Sequence, residues 1–128
     1  MPRTYLLLRR AGLPVYDSTR VAHLEETIGA YAGNPGSSLF SPEHVSLFAF
    51  AASPGGLGDY SASTHIQGEL LGTMIDLIIR DGTDGRRSID DLMRSMFARY
   101  SGERGFTGSD IEQSAGEACG CDMHSFFE

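Results

Sequence analysis

The stretch STHIQGELLGTMIDLIIRDGTDGRRS, residues Ser63–Ser88, decides the fold. It places Ile66, Leu70, Leu71, Met74, Ile75, Leu77, Ile78 and Ile79 at helical spacing and on nearly every face. Ahead of them stands a polar head of Thr64, His65 and Gln67. A helix that is apolar all round is one enclosed by other helices. At about 1.5 Å of rise per residue, Thr64 to Arg80 spans about 25 Å, enough to cross a small domain and bring both ends to the surface. Gly82 and Gly85 then stop it. The expectation is one long buried helix, with Leu70, Met74, Leu77 and Ile78 at the centre of the domain. Asp76 is the one charge between Leu70 and Ile79. A carboxylate among apolar neighbours needs an arginine or a backbone N–H, so it reads as structural.

Outward from this helix, the periodicity stays helical. Downstream, Ser88-Ile89-Asp90-Asp91 has the form of a capping box, serine and a carboxylate three residues on, and it launches Leu92, Met93, Met96, Phe97 and Tyr100. The device repeats at Thr107-Gly108-Ser109-Asp110, and Phe126-Phe127 begin a last helix. Upstream, AGLP ends a first helix at Gly12. Asp17 or Ser18 then caps a helix with Val21, Leu24, Ile28 and Tyr31 on one face, ending near Gly33. Asn34–Ser38 (NPGSS) is turn chemistry, and Ser41-Pro42-Glu43 starts a helix carrying Val45, Phe48, Ala49 and Ala52, closed by Pro54-Gly55-Gly56. No run alternates long enough for a strand. The predicted fold class is all-α: a helical domain of five or six helices around the long apolar one.

Composition sets the outer bounds. The chain has 128 residues with 41% hydrophobic content, which fits one folded domain over residues 1–128. Its net charge of −7 argues against nucleic acid as a partner, because that binding runs on Lys and Arg meeting phosphates. No segment approaches the roughly 20 apolar residues of a membrane span, and the N-terminal MPRTYLLLRR lacks the small-residue cleavage site of a signal peptide. Cys119 and Cys121 are one residue apart, a spacing that ordinary disulfide geometry disfavours and that leaves a cytoplasmic and a periplasmic setting equally open.

Four segments carry a resemblance. LLLRRAGL (Leu6–Leu13), NPGSSLFSPEHVSLFAF (Asn34–Phe50), GELLGTMIDLIIRDGTDGRRSIDDLMRSMFARY (Gly68–Tyr100) and RGFTGSDIE (Arg104–Glu112) resemble, in order, the C-terminal helical domain of the glycyl aminopeptidase family. These are zinc metallopeptidases of the thermolysin-like superclass, which often carry a PDZ domain after the helical one. In such enzymes a HExxH helix and a later glutamate hold the zinc. None of the four histidines, His23, His44, His65 and His124, stands in that frame. TYLLLRRAGL (Thr4–Leu13) resembles the stretch just past the third zinc ligand. The resemblance therefore implies an excised helical part of a larger peptidase. Its zinc would belong to the parent, with no cofactor in this chain, and its partners would be the parent's peptide substrate and the parent's own zinc-binding domain.

The family's Tyr-x-Lys-Gly pattern, whose tyrosine hydrogen bonds the developing oxyanion, falls on His65-Ile66-Gln67-Gly68. The resemblance thus implies His65 as the catalytic donor, with Thr64 and Gln67 beside it as substrate-binding residues and no metal ligand. An imidazole N–H can still donate to an oxyanion, and one lost donor costs on the order of 100-fold in rate. The bland reading of His65 is a solvated residue in a helix's first turn. Loss of the tyrosine and lysine favours an alternative, a non-catalytic helical protein-interaction module. Cys119–His124 (CGCDMH) could form a Cys-Cys-His metal cluster, but a turn and cap is the better reading. Arg86-Arg87 reads as complementing a helix dipole. Tyr5, Leu6, Leu7 and Leu8 would leave an exposed apolar patch once a neighbouring domain is removed, and the fragment could self-associate through it.

Overall fold

The computed structural model describes residues 7–33, 41–43 and 65–128. All regular structure among them is helical: a turn at residues 7–10, then α1 (Asp17–Ala32), α2 (Gln67–Gly82), α3 (Ile89–Tyr100), α4 (Gly108–Cys119) and the single turn α5 (His124–Phe127). The chain divides into two compact units, Met1–Leu71 and Gly72–Glu128. Ser41-Pro42-Glu43 lie within the described residues, and 42–43 are helical. The expectations for Asn34–Ser38, for Val45 to Gly56, and for Tyr5, Leu6, His44 and Thr64 fall outside the described residues.

In the first unit, Gly12 does end the opening turn, with φ +73 and its N–H donating to the Arg9 carbonyl at 3.1 Å. α1 differs from its prediction in two ways. Its N-cap is Tyr16, without a side-chain cap bond, so Asp17 helps only as an acid in the first turn, near the positive helix end. Its inner face is also rotated. Thr27 is buried and His23, Leu24 and Tyr31 are half-buried, whereas Val21 and Ile28 are exposed. Polar side chains can take the inner positions because they are satisfied there: the Thr27 hydroxyl donates to the His23 carbonyl at 2.8 Å, and His23 meets Glu69.

The second unit holds the core, made of Ile75, Ile79, Leu92, Ala115, Ala118, Cys119 and Met123, with Ile78, Ile89, Met96 and Phe126 packed against it. α2 is here amphipathic and not enclosed. Ile79 is 0% and Ile75 8% exposed, but Met74 is 48% and Leu77 56% exposed. Leu70 and Ile78 are half-buried. Gly72, Ile75, Ile79 and Gly82 fall on one face, and at Gly82 that face is approached closely: a Cβ there would stand only 2.9 Å from the Cys119 carbonyl oxygen, whereas one at 72 would meet Ile89 Cδ1 at an ordinary 3.7 Å. Gly82 is therefore a packing residue. The stop itself lies at Asp84 and Gly85, both left-handed at φ +51 and +72, where the Gly85 N–H reaches the Arg80 carbonyl at 2.7 Å.

Asp76 is structural, as its surroundings predicted. One oxygen accepts from Arg80 Nε and the other from the Ile89 N–H, both at 2.8 Å. Both capping boxes form. Asp91 Oδ2 accepts the Ser88 N–H at 2.9 Å while Ser88 Oγ caps the start of α3, and Thr107 and Asp110 do the same for α4. Asp110 also accepts the Tyr100 hydroxyl at 3.0 Å, tying the end of α3 to the start of α4. The two arginines complement helix ends, though not the same one. Arg86 Nε donates to the Thr83 carbonyl beside α2, whereas Arg87 Nη1 donates to the Glu117 and Ala118 carbonyls at the end of α4. Cys119 and Cys121, against expectation, are bridged. Gly120 between them takes the left-handed conformation at φ +68, and the two Cα atoms stand 5.2 Å apart, within the range a disulfide spans.

Two outcomes follow from this packing. Ile79→Ala should lower the unfolding free energy by about 2–5 kcal/mol and Leu77→Ala by under about 0.5 kcal/mol, read from urea denaturation followed by circular dichroism; equal losses would mean a helix buried on both faces. The Asp91 carboxyl is held below the ordinary aspartate range chiefly by the Ser88 N–H, and that of Asp110 chiefly by the Thr107 hydroxyl. A depressed pKa gives stability that is present above the ordinary value, about 3.9, and is lost as pH falls through the lower folded value. The melting temperature should drop across that acid window, and the drop should be shallower in the Asp91→Asn/Asp110→Asn double variant.

Candidate functional site at the head of α2

The head of α2 opens with a wide turn. His65 and Ile66 form a π-type turn before the regular helix begins at Gln67, an irregularity that re-aims side chains and recurs at functional sites. His65 is exposed, Gln67 is buried at 4% exposure, and Thr64 lies outside the described residues. Of the three polar residues singled out here, His65 therefore meets solvent and Gln67 faces inward.

One pair at this helix head had no warning in the sequence. His23 Nε2 lies 2.9 Å from Glu69 Oε1, with the two side chains 36% and 16% exposed. α1 supplies the imidazole, and the first turn of α2 supplies the carboxylate. A carboxylate on one ring nitrogen fixes the orientation of an imidazole. The pair spans 46 residues, and no local motif marks either partner. His65 stands one turn ahead of Glu69. The helix head thus presents an exposed imidazole close in sequence to a carboxylate–imidazole pair.

No three His, Cys, Asp or Glu side chains among the described residues converge on a common point. His124 has two carboxylate neighbours, but on opposite ring nitrogens: Nδ1 lies 2.9 Å from Glu112 Oε1 and Nε2 3.1 Å from Glu128 Oε1. The sulfurs of a Cys-Cys-His cluster are spent on each other. No chemical step is assigned to a metal held by these residues.

The second unit has an open basin of about 570 Å³ between the end of α3 and the start of α4, lined by Arg99, Tyr100, Arg104, Phe106, Thr107 and Asp110 among others. Its polar groups are committed to one another. Arg99 pairs with Glu117, Arg104 donates to the Ser101 and Ala98 carbonyls, and the hydrogen bond to Asp110 pushes the Tyr100 hydroxyl pKa up. This is a joint between helices. Set beside known proteins, the chain matches no family model, no curated protein and no solved structure, so its functional reading rests on its own residues.

Proposed function

We propose that the chain is the helical wall of the substrate cleft of a zinc aminopeptidase-like protein whose parent hydrolyses N-terminal residues of peptides. The zinc and its ligands belong to the parent's zinc-binding domain, the peptide is the shared substrate, and His65 is the donor that this wall turns toward the developing oxyanion. The observation that supports this most is the exposed His65 on a π-type turn, at the position where the resembling peptidases carry their tyrosine. Gly68, Asp76 and the Asp81–Asp91 turn and cap keep the family's spacing behind it. An imidazole N–H is a competent oxyanion donor, and its worth lies in the fixed aim that a helix head provides. Thr64 completes the proposed substrate contacts, while Gln67, buried at 4% exposure, supports the helix head from within.

A second reading is a non-catalytic interaction module derived from the same fold. It is favoured by the missing tyrosine and lysine, and by Met93 and Phe97, one helical turn apart on α3 and both exposed, Phe97 at 75%. The two readings separate in the natural reading frame that carries this chain, purified whole and assayed on chromogenic aminoacyl anilides. Under the first, His65→Ala lowers kcat about 100-fold with KM little changed, and His65→Tyr keeps or raises activity. Peptidase activity indifferent to His65, or a whole protein without peptidase activity, would leave the interaction module.

A further inference from the structure

The sulfur pair at the end of α4 has no part in that reading, yet it is built with a direction. Cys119 and Cys121 are the chain's two cysteines, and they bond to each other across Gly120. A disulfide stabilises mainly by constraining the unfolded chain, an effect that grows with the logarithm of the loop it closes. A loop with a single residue between its ends is near the bottom of that scale. Cys119 is held instead by packing, 1% exposed within the core that includes Ile75, Ile79, Ala115, Ala118 and Met123, and those contacts do not need the bridge. The fold is therefore compatible with both redox forms.

The two sulfurs differ in access and in chemistry. Cys121 is exposed and Cys119 is buried, so an incoming thiolate reaches Cys121. The Cys121 N–H donates to Cys119 Sγ at 3.0 Å. A hydrogen bond from an amide stabilises the thiolate that would leave there. The carboxyl end of a helix opposes a negative charge, but here the Arg87 guanidinium sits on the Glu117 and Ala118 carbonyls and offsets that end of α4. Attack site and leaving group are thus assigned by position.

We propose that Cys119–Cys121 is a reversible thiol–disulfide exchange site for low-molecular-weight thiols of the glutathione type. One thiolate attacks Cys121 Sγ, the bond to Cys119 Sγ breaks, and its electron pair leaves on Cys119 as thiolate. A second thiolate attacks the small-molecule sulfur of the mixed disulfide and releases Cys121. In sum the protein disulfide takes up two electrons and two protons to become a dithiol, while two thiols become one small-molecule disulfide; the reverse course oxidises the pair.

The test uses the whole oxidised chain, without denaturant, in glutathione buffers of rising reduced-to-oxidised ratio. Each sample is alkylated and weighed by mass spectrometry, with circular dichroism measured alongside. The expected result is full conversion to the dithiol with helical signal and cooperative melting retained. In samples quenched during reduction, peptide mapping should find glutathione on Cys121. With oxidised glutathione, Cys119→Ser should form its adduct at least about tenfold faster than Cys121→Ser, because burial protects the remaining sulfur of the latter. The proposal is overturned by a bridge that opens only in denaturant, by loss of helix in step with reduction, or by glutathione trapped on Cys119 in the unaltered chain. The last readout needs no substitution and stands even if a variant does not fold.

Discussion

The second unit depends on the way α2 hands over to α3, and the Asp76 carboxylate fixes that handover. Its two oxygens bind Arg80, one turn along the same helix, and the Ile89 N–H, thirteen residues on. The first amides of a helix have no partner inside it. At the start of α3 three in succession are met by side chains: Ser88 N–H by Asp91, Ile89 N–H by Asp76 and Asp90 N–H by Ser88 Oγ. The cap fixes where α3 begins, and Asp76 fixes where that beginning stands against α2. Thr83 closes the turn between them from inside, donating to the Ile79 carbonyl and accepting the Arg87 N–H. Arg87, so placed, reaches the end of α4. A single carboxylate in an apolar run thus sits at the start of a chain of contacts that ends at the disulfide turn.

Small residues let that chain of contacts close. The α4 face turned to the core is Ala115, Ala118 and Cys119, and a Cβ on Gly116 would stand 3.2 Å from the Cys121 carbonyl oxygen. Gly82 approaches the Cys119 carbonyl more tightly still. Both close contacts converge on the segment that carries the two sulfurs. Interiors pack at crystal-like density, so a segment hemmed in by backbone on two sides keeps its place with or without a covalent bridge. This is the packing argument for a bond whose loss leaves the fold standing.

What could be read in advance follows the range of the interactions. Both capping boxes, the end at Gly12, the all-α class and the structural part of Asp76 depend on residues a few positions apart, and each stood in the sequence as a spacing. The inner faces were less legible. Apolar residues fill α2 on every side, so hydropathy alone did not reveal that Ile75 and Ile79 bury while Met74 and Leu77 do not; the signal on the buried face was Gly82, whose lack of a side chain lets the Cys119 carbonyl come close. In α1 the inner stripe is partly polar, through His23 and Thr27, and a search for apolar periodicity passes over it. The His23–Glu69 contact exists only because the chain brings two distant segments together. The disulfide joins residues with a single glycine between them, and spacing alone does not announce the tight turn at the end of α4 that sets their Cα atoms 5.2 Å apart.

The described residues of α2 fall in both compact units, and each part has its own surroundings. In the first unit Ile66, just before the helix, and Leu70 are half-buried, Gln67 is buried, and Glu69 turns to His23. In the second, Ile75 and Ile79 enter the core while Met74 and Leu77 stay exposed, so the apolar residues of the helix do not share one role. The same division separates the two chemical sites. His65 and the His23–Glu69 pair are held by the first unit, and the sulfur pair is held by the core of the second, so substitution at either site leaves the residues that support the other in place.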